Sequence, residues 1–300
     1  MKIKCGFVAV VGKPNAGKSS LINAIIGEKV SIVSPKPQTT RNNILGIYNS
    51  AHSQIVFVDT PGINKTATGL DKFMQKSIKG AVSDVNVVVV VCDITKGVQK
   101  TELDLVEKYN KGNIPVVLVL SKIDLVKDEV VFKTLQDLSP IADKCEIVPL
   151  SSTKGKNVST LIEVVEKFLP EVDEKDRYFD QDEYTDKPLN FLVAEIVREK
   201  ALYYLDREIP HGIAVVTQRF EESENIIEID VDIVCDKSSH KAIILGKQGS
   251  MLQKIGHDAR VTIQKIVQKK VMLNIFVKVK PNWKNNLEFL DSLGYNINEL

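Results

Sequence analysis

Short apolar runs and longer amphipathic segments alternate along the first 170 residues of the chain. The apolar runs are rich in β-branched residues and lack polar alternation, which is typical of strands buried on both faces of a parallel sheet. The segments between them, such as Ser19–Ile26 and Val158–Phe168, place apolar residues at helical spacing. This alternation predicts a doubly wound α/β domain over residues 1–170. The predicted strands are Phe7–Val11, Ile55–Val58, Val87–Cys92, Val116–Leu120 and Glu146–Pro149.

The pattern changes beyond residue 170. Residues 171–186 hold eight acidic residues against two basic ones, a composition that predicts a solvated linker. Residues 187–300 then show a different order of elements, which predicts a smaller α+β domain and no repeat of the first. Its predicted elements are a helix at Leu189–Leu205, strands at Ile213–Phe220 and Ile226–Val234, two helices around Gly246–Gly249, and a strand at Val271–Val279.

Composition narrows the classes of protein that fit. The 300 residues are 43% hydrophobic and 26% charged, as in a soluble globular protein, and the net charge of +1 gives no overall attraction to nucleic acid or membrane. The four cysteines form no C-x-x-C pair, which argues against disulfide or metal chemistry and fits a reducing compartment. The N-terminus leads directly into a predicted strand, and no apolar run is long enough to cross a membrane. We therefore expect a cytoplasmic protein.

A phosphate-binding pattern follows the first predicted strand. The segment Gly12-Lys-Pro-Asn-Ala-Gly-Lys-Ser19 matches G-x-x-x-x-G-K-[ST] and opens a predicted helix. Its glycines let backbone N–H groups face the phosphates, while Lys18 is expected to reach the β- and γ-phosphates and the Ser19 hydroxyl to bind Mg²⁺. The alternative is a plain glycine turn between strand and helix. The predicted contacts are Gly12, Lys13, Pro14, Asn15, Ala16, Gly17, Lys18, Ser19 and Ser20.

Two further segments are expected to sense the γ-phosphate. Asp59-Thr60-Pro61-Gly62 follows a predicted strand, where a carboxylate can hold Mg²⁺ through a water and a glycine lets the backbone approach the phosphate. By itself this tetrapeptide is more often a turn. The polar stretch Pro37–Arg41 offers a threonine hydroxyl that would complete Mg²⁺ coordination only when the γ-phosphate is present. We expect Thr40 rather than Thr39 in this role, and a surface turn is the alternative.

The base-recognition segments indicate guanine. Ser121-Lys-Ile-Asp124 follows the strand Val116–Leu120 and resembles the GTPase superfamily, whose usual pattern is Asn-Lys-x-Asp. Asp124 is expected to accept hydrogen bonds from the guanine N1–H and amine, which adenine cannot supply in that arrangement. Ser121 departs from the pattern, and its shorter reach is expected to weaken affinity while Asp124 keeps the specificity. An ATP-using P-loop enzyme is the rival interpretation. The predicted base contacts are Ser121, Lys122, Ile123, Asp124, Ser151, Ser152 and Thr153.

The residue after Gly62 bears on the hydrolytic step. Ras-like GTPases place a glutamine there that orients water, and this chain has Ile63, which we also count among the nucleotide contacts. An aliphatic side chain cannot orient water, so the intrinsic turnover is expected to be slow, on the order of 10⁻⁴ to 10⁻² s⁻¹. Asn15 resembles the asparagine of a G-x-P-N-x-G-K-S subgroup, and this resemblance implies a K⁺ ion beside the phosphates in the role of an arginine finger.

The C-terminal domain carries a candidate RNA-binding loop. Gly246-Lys-Gln-Gly249 joins two predicted helices inside an α-β-β-α-α-β order, which is that of a type II KH domain. From Lys237 to Lys284 the chain has eleven basic residues and one acid, Asp258, as expected of a surface that meets a phosphate backbone. A solvated helix face is the alternative, and Trp283 is open between stacking on a base and packing the tail. The predicted RNA contacts are Lys241, Gly246, Lys247, Gln248, Gly249, Lys254, Arg260 and Lys280.

Nearly the whole chain resembles the Era family of GTPases. The likeness includes Pro37–Arg41, Gly246–Gly249, Ile255-Gly256 with Ala259-Arg260, Lys278–Lys280 before Trp283, and Ser292–Tyr295. The resemblance implies GTP/GDP and Mg²⁺ as ligands, binding near the 3′ end of small-subunit ribosomal RNA, and a role in 30S subunit maturation. It also implies a monomer in loose contact with the inner face of the cell membrane. A GTPase whose second domain binds a protein or lipid, with no role for RNA, is the rival.

Overall fold

The computed structural model describes residues 1–62, 68–293 and 295 of the chain, which form two compact units. Each unit is built from more than one stretch of sequence, because two short N-terminal segments group with the C-terminal part. Of the described residues, the first unit comprises 1–31, 40–62 and 74–186, and the second comprises 32–39, 68–73, 187–293 and 295.

A mostly parallel sheet forms the centre of the first unit. Its strands run in the order β2-β3-β1-β4-β5-β6, with a short β7 paired to β1; β2 is antiparallel to β3, and the pairs from β3 to β6 are parallel. These strands are β1 (Lys2–Gly12), β2 (Ile44–Asn49), β3 (Ser53–Asp59), β4 (Val87–Asp93), β5 (Val116–Ser121), β6 (Glu146–Pro149) and β7 (Glu171–Asp173).

Both faces of this sheet are covered by helices, so successive side chains of a strand enter different cores. In β1, Val8 and Val10 belong to one hydrophobic core, while Ala9 and Val11 belong to the other. All four are buried, as the unbroken apolar runs predict, and the α/β fold class is confirmed. The helices are α1 (Lys18–Ile26), α2 (Gly69–Ser83), α3 (Lys100–Lys111), α4 (Asp128–Asp137) and α5 (Val158–Glu166).

The acidic segment 171–186 is largely exposed, as its composition predicts, but it also pairs and packs against the first unit. Glu171–Asp173 pairs with Lys2–Lys4, because β4 pairs with β1 only from Val8 onward and leaves the first residues of that edge open. The ring of Tyr178 then lies 4.8 Å, centroid to centroid, from the ring of Phe7. The segment therefore forms part of the first unit, which continues to residue 186.

The second unit places helices against one face of a three-stranded sheet in the order β10-β9-β8. Strand β9 is antiparallel to β8 and parallel to β10, and its side chains Ile229, Val231 and Ile233 share a core with Ile196 and Ile255 of the helices. The α+β class is thus confirmed. The elements are α6 (Leu189–Tyr204), β8 (Ile213–Glu222), β9 (Ile226–Cys235), α7 (Ser238–Leu245), α8 (Ser250–Val267), β10 (Lys270–Val279) and α9 (Leu287–Ser292).

Two negative findings apply to the described part of the chain. None of its helices combines the length and the apolar character needed to cross a membrane. It also holds no cluster of histidine, cysteine or acidic side chains suited to a metal ion.

Candidate functional site

The loop between β1 and α1 has the backbone shape that a phosphate cradle requires. Gly12 has φ +150°, and a Cβ there would lie 2.5 Å from the carbonyl oxygen of Val91, so no larger residue fits. Gly17 caps the N-terminus of α1 with φ +102°, and Asn15 is also left-handed at φ +63°. The first turn of α1 has no acidic residue, and its backbone N–H groups therefore present positive potential to the loop.

Lys18 is folded back over this loop. Its ammonium donates hydrogen bonds to the carbonyl oxygens of Gly12 at 3.2 Å and Lys13 at 3.1 Å, and only 6% of the residue is exposed. Burial lowers the pKa of Lys18 to about 8, and the charge of Asp59 opposes that shift. A buried ammonium held by neutral carbonyls gains a stronger partner when an anion enters the loop.

Oxygen ligands of the kind that Mg²⁺ prefers converge beside Lys18. The Ser19 hydroxyl lies 2.8 Å from the Thr40 hydroxyl and donates to Asp59 Oδ2 at 2.7 Å. The Ser31 hydroxyl donates to the same oxygen at 2.7 Å. Asp59 Oδ1 is buried and has no hydrogen-bond partner among residues 1–62, 68–293 and 295. A lone buried carboxylate oxygen beside two hydroxyls fits a hard cation and its water ligands.

The geometry separates the two candidate threonines. Thr40 is buried with its hydroxyl near Ser19, whereas the Thr39 hydroxyl donates to the carbonyl oxygen of Lys36 at 2.6 Å. Thr40 is therefore better placed than Thr39 to contact a Mg²⁺ ion held by Ser19 and Asp59. The sequence did not predict Ser31, which precedes the polar stretch and carries no motif of its own.

The segment after β3 approaches the phosphate loop closely. A Cβ on Gly62 would lie 2.8 Å from the Cα of Pro14, so only glycine allows this approach. The Thr60 hydroxyl holds the segment to the sheet by donating to the carbonyl oxygen of Val10 at 2.7 Å. Pro61 lies between them and is buried. The predicted contact Ile63 lies outside the described residues.

The base-side segments meet at the ends of β5 and β6. Asp124 is exposed, and its carboxylate accepts hydrogen bonds from the hydroxyls of Ser151 at 2.6 Å and Thr153 at 3.2 Å. The hydrogen bond from Ser151 lowers the pKa of Asp124, so the carboxylate is ionised at neutral pH. An exposed, oriented carboxylate suits the recognition of paired N–H donors. Ser152 lies between its two partners in the loop, and Ile123 is buried below.

Ser121 and Lys122 join the base-side segment to the phosphate loop. The Ser121 hydroxyl lies 2.6 Å from the carbonyl oxygen of Ala16 and 2.9 Å from that of Cys92, and its single proton serves one of them at a time. The Lys122 ammonium donates to the carbonyl oxygen of Asn15 at 2.7 Å. The serine that departs from the superfamily pattern thus contacts the phosphate loop directly.

The predicted RNA loop lies at the N-terminus of α8. Gly246 and Gly249 have φ of +71° and +81°, and a Cβ on Gly246 would lie 2.7 Å from the Cβ of Met251. Lys247 and Gln248 are exposed at the tip. The loop borders a groove of about 450 Å³ between α8 and β10, lined by Gly249, Leu252, Gln253, Gly256, His257, Arg260, Leu273 and Ile275.

The predicted basic contacts of the second unit do not all lie in this groove. Arg260 lines it, whereas Lys241 lines a neighbouring cleft. The ammonium groups of Lys254 and Lys280 lie over the rings of Tyr204 and Phe289, at 4.3 Å and 3.6 Å from the centroids.

Trp283 has a single role in the structure. It is fully buried, and its indole N–H donates to the carbonyl oxygen of Gly212 at 3.0 Å. Of the two alternatives left open by the sequence, the structure therefore favours packing over base stacking.

Comparisons with known proteins agree with both units. A family model described as 50S ribosome-binding GTPase matches residues 7–122, and a KH-domain model matches residues 208–284. GTPase Era from Clostridium kluyveri is 45% identical over 294 residues, which cover 98% of this chain and 99% of that protein. GTPase Era from Clostridium botulinum strain Eklund 17B is 46% identical over 293 residues, or 97% and 98% of the two chains.

Two solved structures are similar over 98% of this chain and 100% of theirs, each at 36% identity. One is Era in complex with MgGDPNP and nucleotides 1506–1542 of 16S ribosomal RNA, with a TM-score of 0.91. The other is a point variant of Era from Aquifex aeolicus bound to GDP and AlF4⁻, with a TM-score of 0.92. The chain therefore belongs to the Era family of GTPases, and it binds and hydrolyses GTP.

Proposed function

We propose that the chain is a GTP-driven switch that binds the 3′ region of 16S ribosomal RNA through its KH domain and acts in assembly of the small ribosomal subunit. The observation that carries the proposal is the exposed Gly246–Gly249 loop beside an open groove, at the N-terminus of a long helix. The Era structure with bound 16S RNA supports the same class of ligand.

In this proposal each residue of the nucleotide site contacts a different part of the nucleotide. Asp124 accepts the N–H donors of guanine, and Lys18 receives the β- and γ-phosphates in place of its loop carbonyls. Ser19, Thr40 and Asp59 would hold Mg²⁺, which supplies positive charge that neutralises the phosphates when bound. Gly62 brings a backbone N–H beside the γ-phosphate, so loss of that phosphate removes a partner from this segment.

The second unit recognises RNA by shape and charge. The glycine backbone lets a single strand approach the loop closely, and the N–H groups at the start of α8 face its phosphates. Arg260 lies in the groove where an unstacked base would enter, and the surrounding lysines add attraction that does not depend on sequence.

The experiment is a binding titration with an RNA of nucleotides 1506–1542 of 16S ribosomal RNA. We expect tighter binding to this RNA than to a shuffled RNA of equal length, and different affinities with a non-hydrolysable GTP analogue and with GDP. Equal affinity for both RNAs would contradict sequence recognition. No RNA binding in either nucleotide state would leave a GTPase whose second domain binds another class of partner.

We also propose that K⁺ stimulates hydrolysis. The support is Asn15 in the left-handed turn of the phosphate loop, together with an aliphatic residue at position 63. Single-turnover rates in K⁺ and Na⁺ at equal ionic strength test this, with Asn15→Ala as the control that should lose the difference. Equal rates in the wild-type protein would contradict the proposal.

The cytoplasmic location, the peripheral membrane contact and the monomeric state remain predictions. Cell fractionation would test the first two, and light scattering would test the third.

A further inference from the structure

Asp93 has no role in the nucleotide contacts described so far, yet it is one of the most heavily bonded carboxylates in the first unit. It is the last residue of β4 and is 7% exposed. Its Oδ1 accepts hydrogen bonds from the backbone N–H of Thr95 at 3.1 Å and from the Thr95 hydroxyl at 2.6 Å. Its Oδ2 accepts from the Lys122 ammonium at 2.6 Å, and the ammonium of Lys96 lies 4.0 Å away.

Lys122 transmits this contact to the phosphate loop. The same ammonium that contacts Asp93 donates to the carbonyl oxygen of Asn15, so one cation joins the end of β4, the base-side segment and the loop. Asn15 and Lys122 both have φ +63°, a conformation that side-chain-bearing residues adopt only when their surroundings hold it. The pair of contacts provides such a restraint at both residues.

The contact of the Lys122 ammonium with the Asn15 carbonyl oxygen needs a further restraint. The Lys122 side chain is 32% exposed, and a lysine stem has many rotamers that would take the ammonium to water. Burial alone would raise the pKa of Asp93, but the hydrogen bonds from Lys122 and Thr95 outweigh it and hold the pKa below its usual value. Asp93 is therefore ionised at neutral pH and opposes the escape of the lysine.

We propose that Asp93 is a positioning residue of the guanine-nucleotide site: it fixes the Lys122 ammonium on the Asn15 carbonyl, and this sets how long a bound nucleotide stays. The inference rests on the nucleotide contacts proposed above. Asp93 touches neither base nor phosphate, and it acts only through Lys122. Because the loop shape serves GTP and GDP alike, both nucleotides depend on it.

The simpler interpretation is that Asp93 only caps the short turn Ile94–Lys96, where it accepts a hydrogen bond from the backbone N–H of Thr95. The substitution Asp93→Asn distinguishes the capping role from the positioning role. It keeps the shape of the side chain and an oxygen that accepts hydrogen bonds from Thr95, but it removes the negative charge that holds Lys122. Lys122→Met removes the ammonium and keeps most of the apolar stem. The double variant then tests whether the two residues act as one unit.

The experiment measures dissociation rates of fluorescent GDP and of a fluorescent non-hydrolysable GTP analogue by stopped flow, in Mg²⁺, for wild type and all three variants. We expect Asp93→Asn to speed the release of both nucleotides about tenfold, which corresponds to ~1.4 kcal/mol. The double variant should be no faster than Lys122→Met alone. Additive effects, or an unchanged rate in Asp93→Asn, would overturn the proposal.

Glu102 offers a matched control. It is buried like Asp93, accepts a hydrogen bond from the backbone N–H of Gln99 at the start of α3, and pairs with Lys13 of the same loop at 3.2 Å. Among residues 1–62, 68–293 and 295, the ammonium of Lys13 bonds to Gln99 and Glu102 and to no loop carbonyl, so Glu102→Gln should change release less than twofold. An equal acceleration in Glu102→Gln would mean that any buried carboxylate near the loop has this effect, and would overturn the proposal.

Two further measurements keep the outcomes distinct. Thermal unfolding of each variant without nucleotide checks that the fold survives. If Asp93→Asn lost much stability while its folded fraction released nucleotide at the wild-type rate, Asp93 would only cap the turn. Competition between GTP and ATP in the wild-type protein tests the proposed base contacts. Loss of guanine preference there would reject those contacts, whatever Asp93 does.

Discussion

The nucleotide site of the first unit and the RNA groove of the second unit both use glycine turns at a helix N-terminus, but they differ in what surrounds the turn. Around the phosphate loop, Lys18, Asp59 and Ser121 are buried, and each forms hydrogen bonds to other parts of the site. Around the RNA loop, Lys247 and Gln248 are exposed, and the outlying Lys254 and Lys280 contact aromatic rings.

This difference predicts different kinds of sensitivity. In the nucleotide site a lost side chain leaves a buried partner unsatisfied, so single substitutions have large effects that depend little on salt. In the RNA groove the cations are solvated before and after binding, so single losses are small and strongly dependent on salt. Only a change at the loop tip, where the strand comes closest, should approach the effects seen in the nucleotide site.

The largest effect is expected from Asp124→Asn. An amide in place of the carboxylate offers a donor toward the guanine amine, whereas xanthine has an oxygen at that position. GTP affinity should fall about 1,000-fold or more, and xanthosine triphosphate should become the preferred nucleotide. Competition titrations with both nucleotides measure the switch.

Ser151→Ala is the control for that switch. It removes one hydrogen bond from Asp124 and should lower GTP affinity far less, without a change of base preference. An Asp124→Asn protein that bound GTP as tightly as wild type would show that the base is read elsewhere, and would remove the contrast between the two sites.

The sequence could predict which segments meet at the candidate nucleotide site because parallel strands end at one edge of the sheet. Asp59 ends one strand and Asp124 follows another, so the alternation of strands and helices predicts that their motifs lie at the same edge. Ser31 and Asp93 were missed because each acts through a partner distant in sequence and neither belongs to a pattern. Strand β7 was missed because its pairing depends on an open edge rather than on its own composition.

The second-largest effect is expected from the paired change Lys247→Asp with Gln248→Asp. Two negative charges at the point of closest approach should weaken binding of the 16S RNA fragment about 100-fold or more, because like charges there are least screened. Gln248 has φ +53°, which aspartate tolerates, so the loop should keep its shape. RNA and nucleotide titrations on the same preparation measure the result, and GTP affinity should change less than twofold.

Gln264 and Lys265 provide a matched control near the C-terminal end of α8. They are another glutamine–lysine pair and lie at the opposite end of that helix from the Gly246–Gly249 loop. Changing both to aspartate should weaken RNA binding only modestly, through the general loss of positive charge. Equal losses in the two double variants would show that net charge, rather than the loop, decides binding.

An intermediate effect concerns the buried Lys18. Its pKa is about 8 in the folded protein and 10.5 for an unperturbed lysine, so between these pH values the unfolded chain binds more protons. The stability of the nucleotide-free wild type should therefore rise with pH relative to Lys18→Met, by at most about 1.4 kcal/mol per pH unit. Urea unfolding between pH 7 and 10 measures the difference. Parallel curves for the wild type and Lys18→Met would contradict the burial of the Lys18 charge.

The smallest effect is expected from Lys280→Ala. Lys280 is half-buried, and its ammonium lies over the ring of Phe289, so its position is restrained before RNA binds. If Lys280 contacts a single phosphate, Lys280→Ala should lower RNA affinity a few-fold at low salt. The same change should reduce the slope of log affinity against log salt by about 0.7. Titrations of the 16S RNA fragment across a salt series measure both quantities.

Phe289→Leu distinguishes the charge of Lys280 from its placement. This variant keeps the ammonium and removes the ring, so the salt slope should match wild type while affinity falls slightly because the lysine is less ordered. A slope reduced by Phe289→Leu would show that the ring is needed to bring the cation to phosphate. An unchanged slope in Lys280→Ala would place Lys280 outside the RNA surface and leave the loop and Arg260 as the cationic contacts of the groove.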